Sequence, residues 1–326
     1  MIRSVFCLAV VATLTLSCSG REEGSTPIPT TLPVSTPIQR QNTAIPTSLP
    51  LNNQPTPGLQ GNSSMTPLLD ITYCTVNSVE LKMDVYFPDN LNQPAPAVVY
   101  VHGGAWSQGD KRAEIGNSGA SMLTQAGFVV FALNYRLAPE YRFPAMIEDV
   151  KCAIRSIRAH SLEYNIDPNR IAAFGASAGG HLVSLLGTSD VNAGFDVGEY
   201  PEYSSRVQAV IDMFGPTDLT LQFSADQIQN ARNVFTADQL VPASPVTYIT
   251  PDDPPFLILQ GDQDYVVPLE QSQVLYDRLK SAGVYAELVI VQNAGHGFMP
   301  VSDNPISPNL GEISQRILRF LQEKLR

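Results

Sequence analysis

Beyond residue 67 the chain alternates short apolar runs with stretches in which apolar residues recur every three or four positions. Alternation of apolar and polar side chains over residues 70–75 and 79–87 predicts an opening antiparallel pair of strands. Apolar-rich runs follow at 97–101, 129–134, 171–174, 207–213, 256–260 and 286–291. Such runs predict strands buried on both faces. Between them, helical spacing predicts helices near 117–125, 145–159, 179–186, 270–282 and 311–325. In the second of these, Met146, Ile147, Val150, Ala153, Ile154 and Ile157 make one apolar face behind Pro144, a good helix starter. These residues are core and carry no chemistry. The whole pattern predicts an α/β class, with a mostly parallel central sheet and helices on both faces. No internal repeat is evident. Residues 216–253 have weak periodicity; a connection this long is often functional, and a small lid over the carboxyl end of the sheet is expected there.

Composition narrows the functional classes. A chain of 326 residues with 44% hydrophobic content can bury a large core. Its formal net charge is −11 and its basic residues do not cluster, which argues against nucleic acid as a partner. Residues 1–17 read as a signal peptide: Arg3 precedes an apolar run too short to span a bilayer. That run ends at Ser17-Cys18-Ser19-Gly20, which resembles a bacterial lipoprotein processing site, although Thr15 stands where leucine is usual. Export is therefore expected, to the cell envelope through a lipidated Cys18 or, failing that, by plain secretion. Residues 18–66 are rich in Pro, Thr, Ser, Asn and Gln and lack the apolar content to offset ordering entropy. They read as a disordered tether, leaving 67–326 as the catalytic domain. Two cysteines fall in that domain, Cys74 and Cys152; one disulfide and two buried thiols both fit.

The chemistry centres on residues 170–181, Arg-Ile-Ala-Ala-Phe-Gly-Ala-Ser-Ala-Gly-Gly-His. An apolar strand runs into Gly175-Ala-Ser177-Ala-Gly179, and a helix follows, the context of a nucleophile elbow. Serine needs a general base near neutral pH, and the chain has four histidines. His181 lies one helical turn past Ser177 and reads as packed beneath the elbow. His160 ends a polar helix and reads as solvated. His102 opens a glycine loop, which it would brace by hydrogen bonding. His296 follows the last apolar strand between glycines, at the carboxyl edge of the sheet, and is the expected base. The acid that orients it is Asp262 or Asp264, delivered to that edge by the run at 256–260. The other would be a turn carboxylate. The order Ser177, Asp264, His296 is that of hydrolases built on such a sheet. The run at 97–101 leads into His102-Gly-Gly-Ala-Trp106, whose glycines let backbone amides approach a developing oxyanion. The amides of Gly104, Ala105 and Ala178 are the expected donors. Trp106 would wall the substrate pocket or merely pack. No His/Cys cluster has metal-ligand spacing, and no cofactor is expected.

Together these motifs resemble the α/β-hydrolase fold, specifically the esterases around hormone-sensitive lipase and the bacterial acetyl xylan/feruloyl esterases. The resemblance rests on the His102-Gly-Gly loop, on Asn134-Tyr-Arg-Leu-Ala-Pro-Glu-Tyr-Arg-Phe-Pro-Ala145, on Gly175 to Gly179, and on Gly261–Asp264 with His296. It covers roughly residues 68–325. It implies that Asp264 is the acid, since Gly261 to Pro268 matches the Gly-x-x-Asp-x-x-Val-Pro pattern. It also implies a serine esterase acting on short-chain esters, including acetylated or feruloylated polysaccharide fragments. Ala105 departs from the third glycine of many relatives. Two other readings remain: an amidase, arylformamidase-like enzyme or peptidase on the same frame, and a cell-surface binding protein that kept the fold without activity. Oligomeric state and the identity of the ester are not legible.

Overall fold

The computed structural model describes residues 66–112, 116–221 and 231–326. The leader expected over 1–17 and the tether over 18–66, its last residue apart, lie outside them. Strands β1 (Leu68–Val76) and β2 (Val79–Tyr86) pair antiparallel, and β2 runs antiparallel to β4 (Val129–Leu133). From β4 onward the pairing is parallel, through β3 (Ala95–Val101), β5 (Ile166–Ala176), β6 (Ala209–Met213), β7 (Phe256–Gly261) and β8 (Ala286–Val291). The sheet order is β1-β2-β4-β3-β5-β6-β7-β8. This is the α/β-hydrolase fold, with the elbow strand β5 near its centre.

Alternate residues of β3 show why its run is unbroken. Ala97, Val99 and Val101 enter the core on one face, Val98 and Tyr100 the core on the other. Helices α2 (Ala145–Ala159), α3 (Ala178–Thr188) and α4 (Leu269–Ser281) cover the first face. Helices α1 (Gly116–Gln125) and α5 (Leu310–Lys324) cover the second. In α5 a capping box between Asn309 and Glu312 starts the helix, and Ile313, Ile317, Phe320 and Leu321 form its buried stripe. Each such side chain contributes roughly 1.5–3 kcal/mol by leaving water.

Several elements depart from the sequence reading. Strand β5 starts at Ile166 rather than 171, because Ile166 pairs with Ala95 before the register shifts to Ile171 opposite Ala97. Residues 167–170, which include Pro168, occupy that irregularity. Helix α2 is buried on its polar side as well. Asp149 takes the Arg136 guanidinium, and Lys151, fully buried, donates to Ser189 O and Asp196. The segment after α3 therefore closes over a face that periodicity alone assigns to solvent. For the same reason His160 is not solvated: it is half-buried, with Nδ1 at 2.8 Å from Ser156 O and its ring against Tyr200. A disulfide joins Cys74 of β1 to Cys152 of α2, which decides between the two readings of the cysteines. Of residues 216–253, the stretch 222–230 lies outside the described residues. Val234, Phe235 and Ala243 are buried in the core, so this part of the expected lid is fixed wall.

Candidate active site

The elbow is built by close approach. A Cβ on Gly175 would lie 2.3 Å from Gly179 O, and one on Gly179 only 2.0 Å from Val101 O. Side chains there would push α3 off β3 and β5. Ser177 sits between them at φ 53°, ψ −118°, a strained conformation for a non-glycine residue. Its amide donates to Met213 O at 2.9 Å. The strain turns Oγ toward a cavity of about 590 Å³ at the carboxyl edge of the sheet.

His296 reaches the same place from the turn after β8. Its Nε2 lies 3.0 Å from Ser177 Oγ and its Nδ1 2.8 Å from Asp264 Oδ2. An ionised carboxylate can only accept, so the proton belongs on Nδ1 and Nε2 is free to accept from the serine hydroxyl. Asp264 is itself buried and held. Its Oδ1 accepts from the amides of Val266 and Val267, both at 2.9 Å, and its Oδ2 from Gln260 Nε2 at 3.1 Å. Asp262 makes a different contact, accepting from the Ala294 amide at 3.2 Å. The structure thus brings Ser177, His296 and Asp264 into one chain and leaves Asp262 as a turn carboxylate.

Gln260 is absent from the sequence reading of the site. It donates to Asp264 and Val267 O while accepting from Ser272 Oγ, which locks the acid's turn against α4. The available signal was a glutamine ending an otherwise apolar buried strand. Phe214 also escapes that reading; its ring meets the His296 imidazole edge-on at 4.8 Å.

The glycine loop after β3 forms the opposite wall. Gly104, Ala105 and Trp106 all have positive φ, at 103°, 51° and 57°. Ser107 and Gln108 amides bond back to Gly104 O, fixing a tight coil from which Gly104 and Ala105 line the cavity beside Ser177 and Ala178. Ala178 is the first residue of α3, where amides lack intrahelical partners and the helix dipole favours negative charge. His102 braces the loop through Nδ1, 2.7 Å from Gly103 O, and stacks on Tyr135 at 4.4 Å. Tyr135 Oη donates to His102 O, and Asn134 Oδ1 accepts from the Lys111 amide. The segment from Asn134 onward is thus the scaffold of the glycine loop.

Trp106 lines the cavity and also packs. Its Nε1 donates to His181 Nδ1 at 3.0 Å, and its ring meets Phe235. Indole nitrogen only donates, so His181 carries its proton on Nε2 and gives it to Ala243 O at 2.7 Å. Burial pushes the His181 imidazole down to about 4, keeping it neutral. It joins the glycine loop, the elbow helix and residues 231–249 without facing the cavity.

Against known proteins, the BD-FAE family profile matches residues 83–279, more than half of the chain. The chain belongs to the BD-FAE family. The matched stretch takes in the glycine loop, Ser177 and Asp264. Among relatives of this BD-FAE chain, the probable carboxylic ester hydrolase LipM of Mycobacterium tuberculosis is 36% identical over 222 residues, covering 64% of this chain and 51% of that protein. Esterase LipC of the same organism is 36% identical over 228 residues, covering 64% and 55%. The chain spans about half the length of these curated relatives. Among solved structures, a truncated carbohydrate esterase from gut microbiota is 29% identical with a TM-score of 0.67, covering 81% of this chain and 98% of that one. The acetyl ester-xyloside bifunctional hydrolase of Caldicellulosiruptor lactoaceticus is 26% identical with a TM-score of 0.64, covering 76% and 89%.

Proposed function

We propose that this protein is a serine carboxylic ester hydrolase acting on short-chain esters, among them acetylated or feruloylated polysaccharide fragments. The observation that carries the reading is the chain Asp264 Oδ2, His296 and Ser177 Oγ, at 2.8 and 3.0 Å, opening on a largely apolar cavity. Esterase relatives and carbohydrate esterase neighbours support it.

In the mechanism, His296 Nε2 takes the proton of Ser177 as Oγ attacks the ester carbonyl. The oxyanion of the tetrahedral species accepts from the amides of Gly104, Ala105 and Ala178. Asp264 holds the imidazole in the productive tautomer and stabilises its cation. His296 then gives the proton to the departing alkoxide, and the acyl group stays on Ser177. Water repeats the sequence in reverse: His296 removes its proton, the acid departs, and the serine is restored. Trp106 walls the site on the glycine-loop side.

The test is hydrolysis of 4-nitrophenyl acetate by the purified protein beside its Ser177→Ala variant. Activity that vanishes with the hydroxyl is expected. A folded wild type without turnover would sink the ester reading and move formamide and peptide substrates to the front.

Export is part of the same proposal. The leader over 1–17 and a lipidated Cys18 would place the enzyme on the cell envelope, with plain secretion as the alternative. The Cys74–Cys152 disulfide supports passage through an oxidising compartment. The mass of the protein recovered from a bacterial host decides: a chain starting at Cys18 with a diacylglyceryl adduct is expected, and an unmodified chain would remove the anchor.

A further inference from the structure

The last residues of β6 hold a carboxylate that the mechanism does not use. Asp212 is fully buried. Its Oδ1 accepts from the Gly215 amide at 2.8 Å and its Oδ2 from Ser184 Oγ at 2.8 Å. Space around it is closed: a Cβ on Gly180 would lie 2.4 Å from Oδ1, and one on Gly215 2.5 Å. Among the described residues no cation is paired with it. The groups it meets are the Ser184 hydroxyl and Gly180 backbone from α3, and the Gly215 amide from its own turn. The His181 backbone nitrogen lies 2.6 Å from a Cβ built on Gly215, but its ring is turned to Trp106 and Ala243.

Burying an unpaired carboxylate is costly, and the turn it closes touches both working parts of the site. Met213 O receives the Ser177 amide. Phe214, forced to φ 44°, packs its ring on the His296 imidazole at 4.8 Å and on Phe298 at 5.0 Å. Ser184 lies on the helix that starts at the nucleophile. One side chain therefore ties the backbone of the nucleophile, the helix behind it and the wall of the base.

We propose that Asp212 is a positioning residue: by bonding Gly215 and Ser184 it holds the turn 212–215 so that Ser177 and His296 stay in register. The inference rests on the serine-hydrolase reading above. An acceptor-only group suits the task, because both partners must donate to it and the turn has a single arrangement. Burial lifts the Asp212 carboxyl to about 6, so below that pH the bonds lose their ionic character and the register loosens.

The test compares Asp212→Asn, Asp212→Ala and Ser184→Ala with wild type in the full chain, by kcat and KM on 4-nitrophenyl acetate and by the rate of Ser177 labelling with a fluorophosphonate. For Asp212→Ala, kcat and labelling should fall about 100-fold, the scale of a small misplacement of reacting groups, with KM unchanged. Ser184→Ala should lose a few-fold. Asp212→Asn, which can still accept from Gly215, should recover much of the loss. It should also lack a several-fold step in kcat centred near pH 6 that wild type shows. Wild-type kcat and labelling in folded Asp212→Ala would overturn the proposal. If Asp212→Ala does not fold, an Asp212→Asn pH profile superposable on wild type would overturn it equally. A wild type that labels but hydrolyses no ester would sink the ester reading alone, and the labelling comparison would still decide for Asp212.

Discussion

Asp264 shows how much one side chain settles. It takes hydrogen from two backbone amides on one oxygen and from Gln260 and His296 on the other. Asparagine cannot satisfy that surrounding. If its amide group faces His296, Nδ1 must accept, the proton moves to Nε2, and the imidazole can no longer take hydrogen from Ser177. Turnover of Asp264→Asn should therefore fall by roughly 10⁴-fold, the cost of a wrong tautomer in comparable triads. Asp262→Asn, whose Oδ1 can still accept from the Ala294 amide, should keep near-normal kcat. Measuring both in one assay is decisive, and the reverse ranking would transfer the role to Asp262. Sequence alone left these two aspartates open, since both lie in the same four-residue turn; family pattern favoured Asp264. Gln260 and Asp212 escaped for a different reason. Each is a polar residue within a mostly apolar run, and nothing local says what such a residue will bond.

Elements were legible where their burial is simple. The central strands are covered on both faces, so an apolar run marks each of them. α5 is half-covered, so its stripe shows. The reading failed where coverage comes from far along the chain. Residues 189–206 bury the polar side of α2 through Lys151, Arg155 and Asp196, and that partner cannot be seen from the helix itself. The pairing of Cys74 with Cys152 is of the same kind, with a sequence separation of 78. By chain entropy, closing a loop of that size removes about 4 kcal/mol of freedom from the unfolded chain. Reduction, or Cys152→Ser, should accordingly lower the melting temperature by about 10 °C. Acetyl ester turnover at 25 °C should stay as it is, since neither cysteine lines the cavity. An unchanged melting temperature would show that the bond adds nothing to the fold.

For the molecule as a whole, the fold followed from alternation and the site from the ends of three strands. β5 delivers the nucleophile, β7 the acid and β8 the base, all to one edge, while the glycine loop arrives from β3. That convergence is a property of parallel sheets and explains why a distant set of motifs assembles at all. What the alternation could not supply is the closure of the glycine loop, whose coil rests on the scaffold that starts at Asn134, or the anchoring of residues 231–249 through His181. The disulfide has a mechanical side as well. A pull transmitted from the N-terminal side enters at the edge strand β1, where hairpins peel most easily. At Cys74 the force passes through sulfur into α2, and the stretch from β2 to the start of that helix, glycine loop included, carries no tension. Only the outer part of β1 would yield, and the glycine loop, which lies between the two bonded cysteines, would keep its coil under such a load.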